Sequence, residues 1–308
     1  MNNFPHALYL LTEHNERYEA LLNALDLPDL TFTQDKAEAT ILLAAPPMAA
    51  KALDQFPNLE WIQSIYAGVD ALVPHLQDFE GVLTNVKGIF GQQISEYVLG
   101  YVIAHQRHFA HYQSQQQKAQ WTPKPYTSLN ELNMVILGTG SIGTHLAQSA
   151  KALGMRVSGV NRSGIPSKHS PFDALYHVQE LATALAGADV VVNTLPNTPD
   201  TQHILNHQTL SHLNQALLFN VGRGAALDEH ALIEAIEQGC VQHAFLDVFE
   251  QEPLHGEHPF WSHSHITVTP HIAALSFPEQ VAEIFAENYA RWRDGFRLLH
   301  VVEPKRGY

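Results

Sequence analysis

The chain has 308 residues, 45% of them apolar and 16% charged, which suits two ordinary globular domains and excludes a disordered chain. Seventeen Lys and Arg against 31 Asp and Glu leave a formal charge of −14, which argues against nucleic acid or an anionic membrane surface as partner. A single cysteine, Cys240, no apolar run approaching the roughly 20 residues of a membrane span, and a start ("MNNFPHALYLL") without a basic leader point to a cytoplasmic protein.

Short apolar runs alternate with helical patterns along the chain, which predicts βαβ units and parallel sheets. "HALYLL", "ATILLAA", "LEWIQSIY" and "VLTNV" read as strands, with "NERYEALLNAL" and "MAAKALDQF" as helices between them. "SEYVLGYVIAHQRHFAHYQ", Ser95 to Gln113, reads as one long helix with Ser95 as its candidate N-cap. After the Pro-containing loop "WTPKPYTSLN" a second series begins. Strands are predicted at "NMVILG", "RVSGV", "ADVVVNTL", "ALLFNV", "HAFLDVF" and "HITVTP". Helices between them include "THLAQSAKAL" and "DEHALIEAIEQG", the latter stopped by Gly239. "DVVVN" and "ALLFNV" are almost wholly apolar, as strands covered on both faces must be. The closing helix, "FPEQVAEIFAENYARWRDG", has no strand left to follow and is expected to cross back to the first domain. The reading is therefore an α/β protein of two domains, residues 1–95 with 275–308 and residues 96–274.

Gly138-Thr139-Gly140-Ser141-Ile142-Gly143 follows the strand "NMVIL" and opens a helix. Gly138 permits the tight turn, Gly140 lets a pyrophosphate approach the backbone, and Gly143 allows close helix–strand packing. Free N–H groups at the helix start then face the phosphates, so the turn reads as a dinucleotide site. Such a site usually places an acidic residue about 20 residues on, to hold the ribose hydroxyls. Here the next strand ends in Asn161-Arg162-Ser163. A guanidinium beside a hydroxyl binds a 2′-phosphate that a carboxylate would repel, so NADPH (NADP+ when oxidised) is the expected cofactor. The plainer reading makes Arg162 a solvated turn residue; Lys168, further along the loop, is a second cation within reach by sequence. The histidine-rich "HPFWSHSH", His258 to His265, has no acidic or Cys partner at ligand spacing, and no metal is expected.

Arg223 in "NVGRG", Glu252 in "DVFEQEPL" and His271 in "TPHIAA" follow three later strands. In a doubly wound sheet the carboxyl ends of strands line the ligand crevice, so residues far apart in sequence can converge there. With "YAGVD" (Tyr66 to Asp70), "EYVLG" and "GTGSIG" before them, these motifs occur in the order of the D-isomer-specific 2-hydroxyacid dehydrogenase family, which the chain resembles over nearly its whole length. "GIFGQQISEYVL", "TPHIAALSFPE" and the final "RGY" are similar to the glyoxylate/hydroxypyruvate reductases of that family.

The resemblance implies a Rossmann doubly wound dinucleotide domain and a flavodoxin-like substrate domain. It implies NADPH-dependent reduction of small 2-oxoacids to D-2-hydroxyacids, the substrate lying in a cleft between domains that closes over it. Arg223 would bridge the substrate's carboxylate and carbonyl oxygen, His271 would donate the proton in reduction, and Glu252 would orient His271 and favour its protonated form. Backbone N–H groups of Ala67, Gly68 and Val69 would form a carboxylate nest. Leu195, Pro196, Val221 and Asp247 would line the cofactor, and Thr139, Ser141 and Ile142 would meet its phosphates. A homodimer formed through the long helix is also implied. The reductases tend to carry an aromatic residue before the "PP" of the first domain. Here Ala44 and Ala45 precede Pro46 and Pro47, which would widen the pocket. The alternatives are a phosphoglycerate dehydrogenase of the same fold and a dinucleotide-sensing binding protein. A formate dehydrogenase would pair its histidine with Gln where this chain has Glu252.

Overall fold

The computed structural model describes residues 6–303, which fall into two compact units. One comprises the chain up to Ile89 and from Ser276 onward; the other is Phe90–Leu275. The "RGY" ending lies outside the described residues.

In the first unit β1 (His6–Leu11) leads to α1 (Asn15–Ala24), β2 (Leu30–Phe32), β3 (Ile41–Ala44), α2 (Pro46–Ala50), β4 (Trp61–Ser64) and β5 (Val82–Thr84). The strands pair in parallel in the order β2-β1-β3-β4-β5, the flavodoxin-like arrangement. Every residue of β3 and β4 is buried, as helices on both faces of a parallel sheet require. The stretch "MAAKALDQF" is not one helix. Pro46 and Pro47 set the φ of a first helical turn, which starts the helix earlier than expected. The chain then leaves helical geometry at Ala52 and makes a separate 3₁₀ turn over Leu53–Gln55. Ala44 and Ala45 are buried, and the Ala45 N–H donates to the Leu11 carbonyl at 3.1 Å.

The second unit opens with α3 (Phe90–Gln106) and α4 (Phe109–Gln117). These replace the single long helix expected from Ser95: His108, at φ 57°, breaks the helical run before α4. Ser95 is not an N-cap. It lies buried inside α3, where its hydroxyl donates to the Gly91 carbonyl (2.7 Å) and meets His145 Nδ1 at 3.0 Å. There follow β6 (Asn133–Leu137), α5 (Ser141–Ala152), β7 (Arg156–Asn161), β8 (Ala174–His177), α6 (Leu181–Leu185) and β9 (Val190–Asn193). The series closes with α7 (His207–Leu210), β10 (Ala216–Asn220), α8 (Glu229–Glu237), β11 (Val241–Leu246) and β12 (Ile266–Val268).

All strands of this unit are parallel, in the order β12-β11-β10-β9-β6-β7-β8. The order reverses between β6 and β9, which makes it a doubly wound Rossmann sheet with its crevice at that point. Strand alternation divides the core. Val135 and Leu137 join Leu185, Leu218 and Leu232 on one face, whereas Met134 and Ile136 join Val98, Leu146 and Phe219 on the other. Each such fully buried side chain contributes roughly 1.5–3 kcal/mol, so strand ends anchored in both layers make a firm base for the loops beyond them. The chain returns to the first unit as α9 (Pro278–Arg293), which packs on α1. Its buried face includes Phe285, stacked 5.0 Å from Trp61, and Tyr289, whose hydroxyl donates to the Pro28 carbonyl at 2.6 Å. Among the described residues no helix is long and apolar enough to cross a membrane.

Candidate functional site

The glycine turn sits between β6 and α5, at the switch point of the second unit's sheet. A Cβ at Gly143 would lie 2.0 Å from the Gly138 carbonyl oxygen, so only glycine lets the helix start pack on the turn. Gly138 itself has φ 101°. At Gly140 the situation is opposite: an added Cβ would meet nothing within 4 Å, and the missing side chain leaves open space beside the helix start. The first bond of α5 runs from the Thr144 N–H to the Gly140 carbonyl at 2.9 Å, which leaves the Ser141 and Ile142 N–H groups without an acceptor among the described residues. An open cradle with outward N–H groups at the positive end of a twelve-residue helix fits the pyrophosphate of a dinucleotide.

At the end of β7, Asn161 organises the next loop. Its Oδ1 accepts from the Ser163 N–H (3.0 Å), the Ser163 hydroxyl (3.2 Å) and the Gly164 N–H (2.6 Å). Its Nδ2 donates to Thr139 Oγ1 at 3.0 Å, which fastens this loop to the glycine turn. Arg162, at the tip, is exposed and has no hydrogen bond or ion pair among the described residues. No carboxylate occupies the strand end.

Two glycines bring the later loops together. In the loop after β10, a Cβ at Gly222 would lie 2.7 Å from the Leu195 carbonyl oxygen, and one at Gly224 would lie 1.8 Å from the Phe249 carbonyl carbon. Arg223 is thus clasped between the Leu195–Pro196 stretch after β9 and the Phe249–Glu250 stretch after β11. Val221 is half-buried, and its N–H donates to the Asn193 carbonyl at 3.1 Å. The Arg223 guanidinium donates through Nη1 to the Gly222 carbonyl at 2.7 Å.

Glu252 is oriented by its own turn, Oε1 accepting the Phe249 N–H at 3.0 Å, and its Oε2 lies 2.7 Å from His271 Nδ1. The hydrogen bond to Glu252 raises the His271 pKa above its ordinary value; burial opposes it, the charges of Glu252 and Asp247 add to it, and that of Arg223 subtracts. Burial alone would raise the Glu252 carboxyl. The His271 bond, the Phe249 N–H and the charges of His271 and Arg223 outweigh it and hold the group below its ordinary value. The pairing favours the charged form of each group, and the Arg223 charge acts on both.

His271 has φ 53°, uncommon outside glycine, so its loop must be held. Asp247, 2% exposed, holds it. Its Oδ1 accepts from the Thr269 hydroxyl (2.6 Å) and the Ile272 N–H (2.8 Å), its Oδ2 from the Ala273 N–H (2.9 Å), and its carbonyl from the His271 N–H (2.9 Å). The Tyr97 hydroxyl, from α3, adds a bond to Thr269 Oγ1 at 2.7 Å. Sequence reasoning named Asp247 as a cofactor contact and missed this bracing, along with Tyr97 and Thr269. No local motif links residues that far apart.

In the first unit, the Ala67–Val69 turn follows β4. Ser64 Oγ accepts the Tyr66 N–H and donates to the Tyr66 carbonyl, both at 2.9 Å, and Asn85 Nδ2 donates to the Ala67 carbonyl at 2.7 Å. The N–H groups of Ala67, Gly68 and Val69 have no acceptor among the described residues. Three successive N–H groups without acceptors are the donors an anion nest requires. The described residues contain no group of three or more His, Cys, Asp or Glu able to hold a metal ion.

The model of the D-isomer specific 2-hydroxyacid dehydrogenase NAD binding domain matches residues 99–273. The chain is 36% identical over 259 residues to glyoxylate/hydroxypyruvate reductase A of Serratia proteamaculans (strain 568), covering 82% of each chain. It is similar to the crystal structure of a D-isomer specific 2-hydroxyacid dehydrogenase family protein from Aeromonas salmonicida subsp. salmonicida A449, with 41% identity, TM-score 0.91 and coverage of 97% of this chain and 99% of that one. A D-isomer specific 2-hydroxyacid dehydrogenase from Xanthobacter autotrophicus Py2, solved in complex with NADPH and MES, matches at 30% identity and TM-score 0.88 over 99% of this chain and 100% of its own.

Proposed function

The chain belongs to the D-isomer-specific 2-hydroxyacid dehydrogenase family of NAD(P)-dependent oxidoreductases, and from that premise we propose that it reduces small 2-oxoacids, glyoxylate and hydroxypyruvate among them, to D-2-hydroxyacids with NADPH. The observation that carries the reading is the meeting of Arg223, Glu252 and His271 on three neighbouring loops, with carboxylate and imidazole 2.7 Å apart. The Serratia relative's name supports the substrates, and the NADPH in the Xanthobacter structure supports the cofactor.

Bound NADPH would supply the hydride to the substrate's C2. The protein's part is to hold the oxoacid, polarise its carbonyl and deliver a proton. The planar fork of Arg223 can address the carboxylate and the carbonyl oxygen together, which a lysine ammonium cannot. His271, kept protonated to higher pH than a free histidine by Glu252, gives its Nε2 proton to the carbonyl oxygen as negative charge grows there. In the reverse direction the neutral ring takes that proton back. Glu252 stays ionised throughout and fixes the ring's orientation.

Backbone groups from Gly138 to Gly143 would hold the pyrophosphate, Arg162 with Ser163 the 2′-phosphate, and Leu195, Pro196 and Val221 the nicotinamide side. Asp247 keeps one acceptor position on Oδ2 for the carboxamide of the nicotinamide, beside its bracing role. The Ala67, Gly68 and Val69 N–H groups, with no acceptor among the described residues, support the reading of that turn as a carboxylate-binding turn. The apolar surface carried by the segment after α3, with Trp121 98% exposed and Phe109 56%, supports a homodimer.

The test is a panel of 2-oxoacids of increasing side-chain size, followed by loss of NADPH absorbance. His271→Gln should lower kcat about 10²- to 10⁴-fold and Arg223→Ala should remove most turnover, while both still bind NADPH. Undiminished turnover in either variant refutes the assignment.

A further inference from the structure

β9 and β10 are apolar until their last residues, Asn193 and Asn220, whose side chains are both 0% exposed. A buried carboxamide needs partners for its oxygen and its NH₂ group. Here the partners form one chain. Asn193 Nδ2 donates to Asn220 Oδ1 at 2.8 Å. Asn193 Oδ1 accepts the Leu195 N–H at 3.1 Å, and Asn220 Oδ1 also takes the Gly222 N–H at 3.4 Å. Asn220 Nδ2 donates to the Arg223 carbonyl at 3.1 Å. Every bond not joining the two amides therefore ends on a loop of the site: one on the wall that begins at Leu195, two on the turn that bears Arg223.

The backbone reinforces the tie. The Val221 N–H reaches the Asn193 carbonyl, and Gly222 presses on Leu195 so closely that a Cβ there would stand 2.9 Å from the Leu195 nitrogen. Asn220 grips the N–H of Gly222 and the carbonyl of Arg223, while the guanidinium rests on the carbonyl of Gly222. The direction of the guanidinium thus depends on a turn whose two ends the Asn220 amide fixes. Hydrophobic side chains would fill this place in the sheet with no polar group to satisfy, yet they would leave both loops untied.

We propose that Asn193 and Asn220 are positioning residues that set Arg223 in register with the Leu195–Pro196 wall, so that the substrate's carboxylate is held at a fixed distance from the cofactor. The inference rests on the reading of Arg223 as the substrate-binding group. Neither asparagine touches substrate; Asn220 acts through the Arg223 turn and Asn193 through the Leu195 N–H.

A double-mutant cycle tests it on the full chain. Asn220→Ala, which offers the turn neither an acceptor nor a donor, should lower kcat/KM for glyoxylate about 100-fold, with KM rising as kcat falls. Its dissociation constant for NADPH should stay within about threefold of the parent's, and in an Arg223→Ala background the same substitution should lower the residual turnover by less than about threefold. An equal loss in both backgrounds, or a fall in melting temperature with kcat and KM unchanged, overturns the proposal. If Asn220→Ala does not fold at the assay temperature, Asn193→Ala decides: about tenfold weaker NADPH binding is expected, and unchanged binding overturns it. Undiminished turnover in Arg223→Ala alone would remove the guanidinium from the site, a failure of the parent reading that the cycle separates from a failure of the tie.

Discussion

Replacing Thr269 by Val tests how the strained His271 loop is held. The threonine oxygen lies 2.6 Å from Asp247 Oδ1 and 2.7 Å from the Tyr97 hydroxyl. A carboxylate only accepts, so the threonine proton goes to Asp247 and Tyr97 donates to threonine. Valine keeps the branched shape and removes both bonds. A hydrogen bond to a charged group contributes about 1.5–3 kcal/mol and a neutral one about 0.5–1.5, so the loss should be about 2–4.5 kcal/mol. Both groups are only partly buried, which favours the lower half of that range. For a unit of this size each kcal/mol shifts the melting temperature by about 2–4 °C, so Thr269→Val should melt about 4–13 °C lower. Tyr97→Phe, which removes only the outer bond, should lose about 1–6 °C on the same scale, and Thr269→Ser should stay near the parent. Calorimetry gives the ranking, and kcat for glyoxylate should fall with it, because a loosened Asp247 no longer fixes the backbone at φ 53°. A Thr269→Val protein that melts with the parent, or a Thr269→Ser protein that falls as far, refutes the bracing argument.

Glu252→Gln removes the carboxylate charge that helps raise the His271 pKa and leaves a weaker, neutral amide acceptor in its place. Reduction needs the imidazolium, so the parent's kcat/KM is full below the raised pKa and is lost as pH rises through it. In Glu252→Gln that loss should move to lower pH, and a pH profile superimposable on the parent's would contradict the pairing. Gly143→Ala places a Cβ 2.0 Å from the Gly138 carbonyl oxygen, where backbone cannot give way without opening the turn. A displacement of about 1 Å should weaken NADPH binding by about 100-fold, measured by fluorescence titration; equal affinity would show that the turn holds no pyrophosphate. Arg162→Ala should raise KM for NADPH at least about tenfold, the loss of one charge-assisted hydrogen bond, and leave KM for NADH nearly unchanged. Equal effects on the two cofactors would make Arg162 a solvated turn residue.

What the sequence disclosed depends on how far apart the determining groups lie. The α/β class was legible because strands such as Val190–Asn193 and Ala216–Asn220 must be apolar on both faces, a property of single segments. The glycine turn was legible because steric contact within six residues dictates its spacing. β2 and β8 were not, being short outermost strands whose residues stay half-buried or exposed and so lack the apolar run. The start of α3 was misread for a related reason. A serine before an apolar helical run resembles an N-cap, but Ile94 and Phe90 continue the buried face on its N-terminal side, and the hydroxyl bonds back to Gly91.

Within the candidate site the same limit applies. Arg223, Glu252 and His271 could be picked out because each follows a strand whose carboxyl end lines the crevice; the contacts that fix their loops, at Gly222, Gly224 and Asp247, could not. Tyr97 and Thr269 are 172 residues apart and Asn193 and Asn220 are 27 apart, so neither pair has a local pattern that announces it. A polar residue closing an apolar strand is compatible with solvent, with a ligand or with another loop. Burial decides among these: Asn193 and Asn220 at 0% exposure exclude solvent, and their bonds to Leu195, Gly222 and Arg223 leave loop positioning as the use of their polarity.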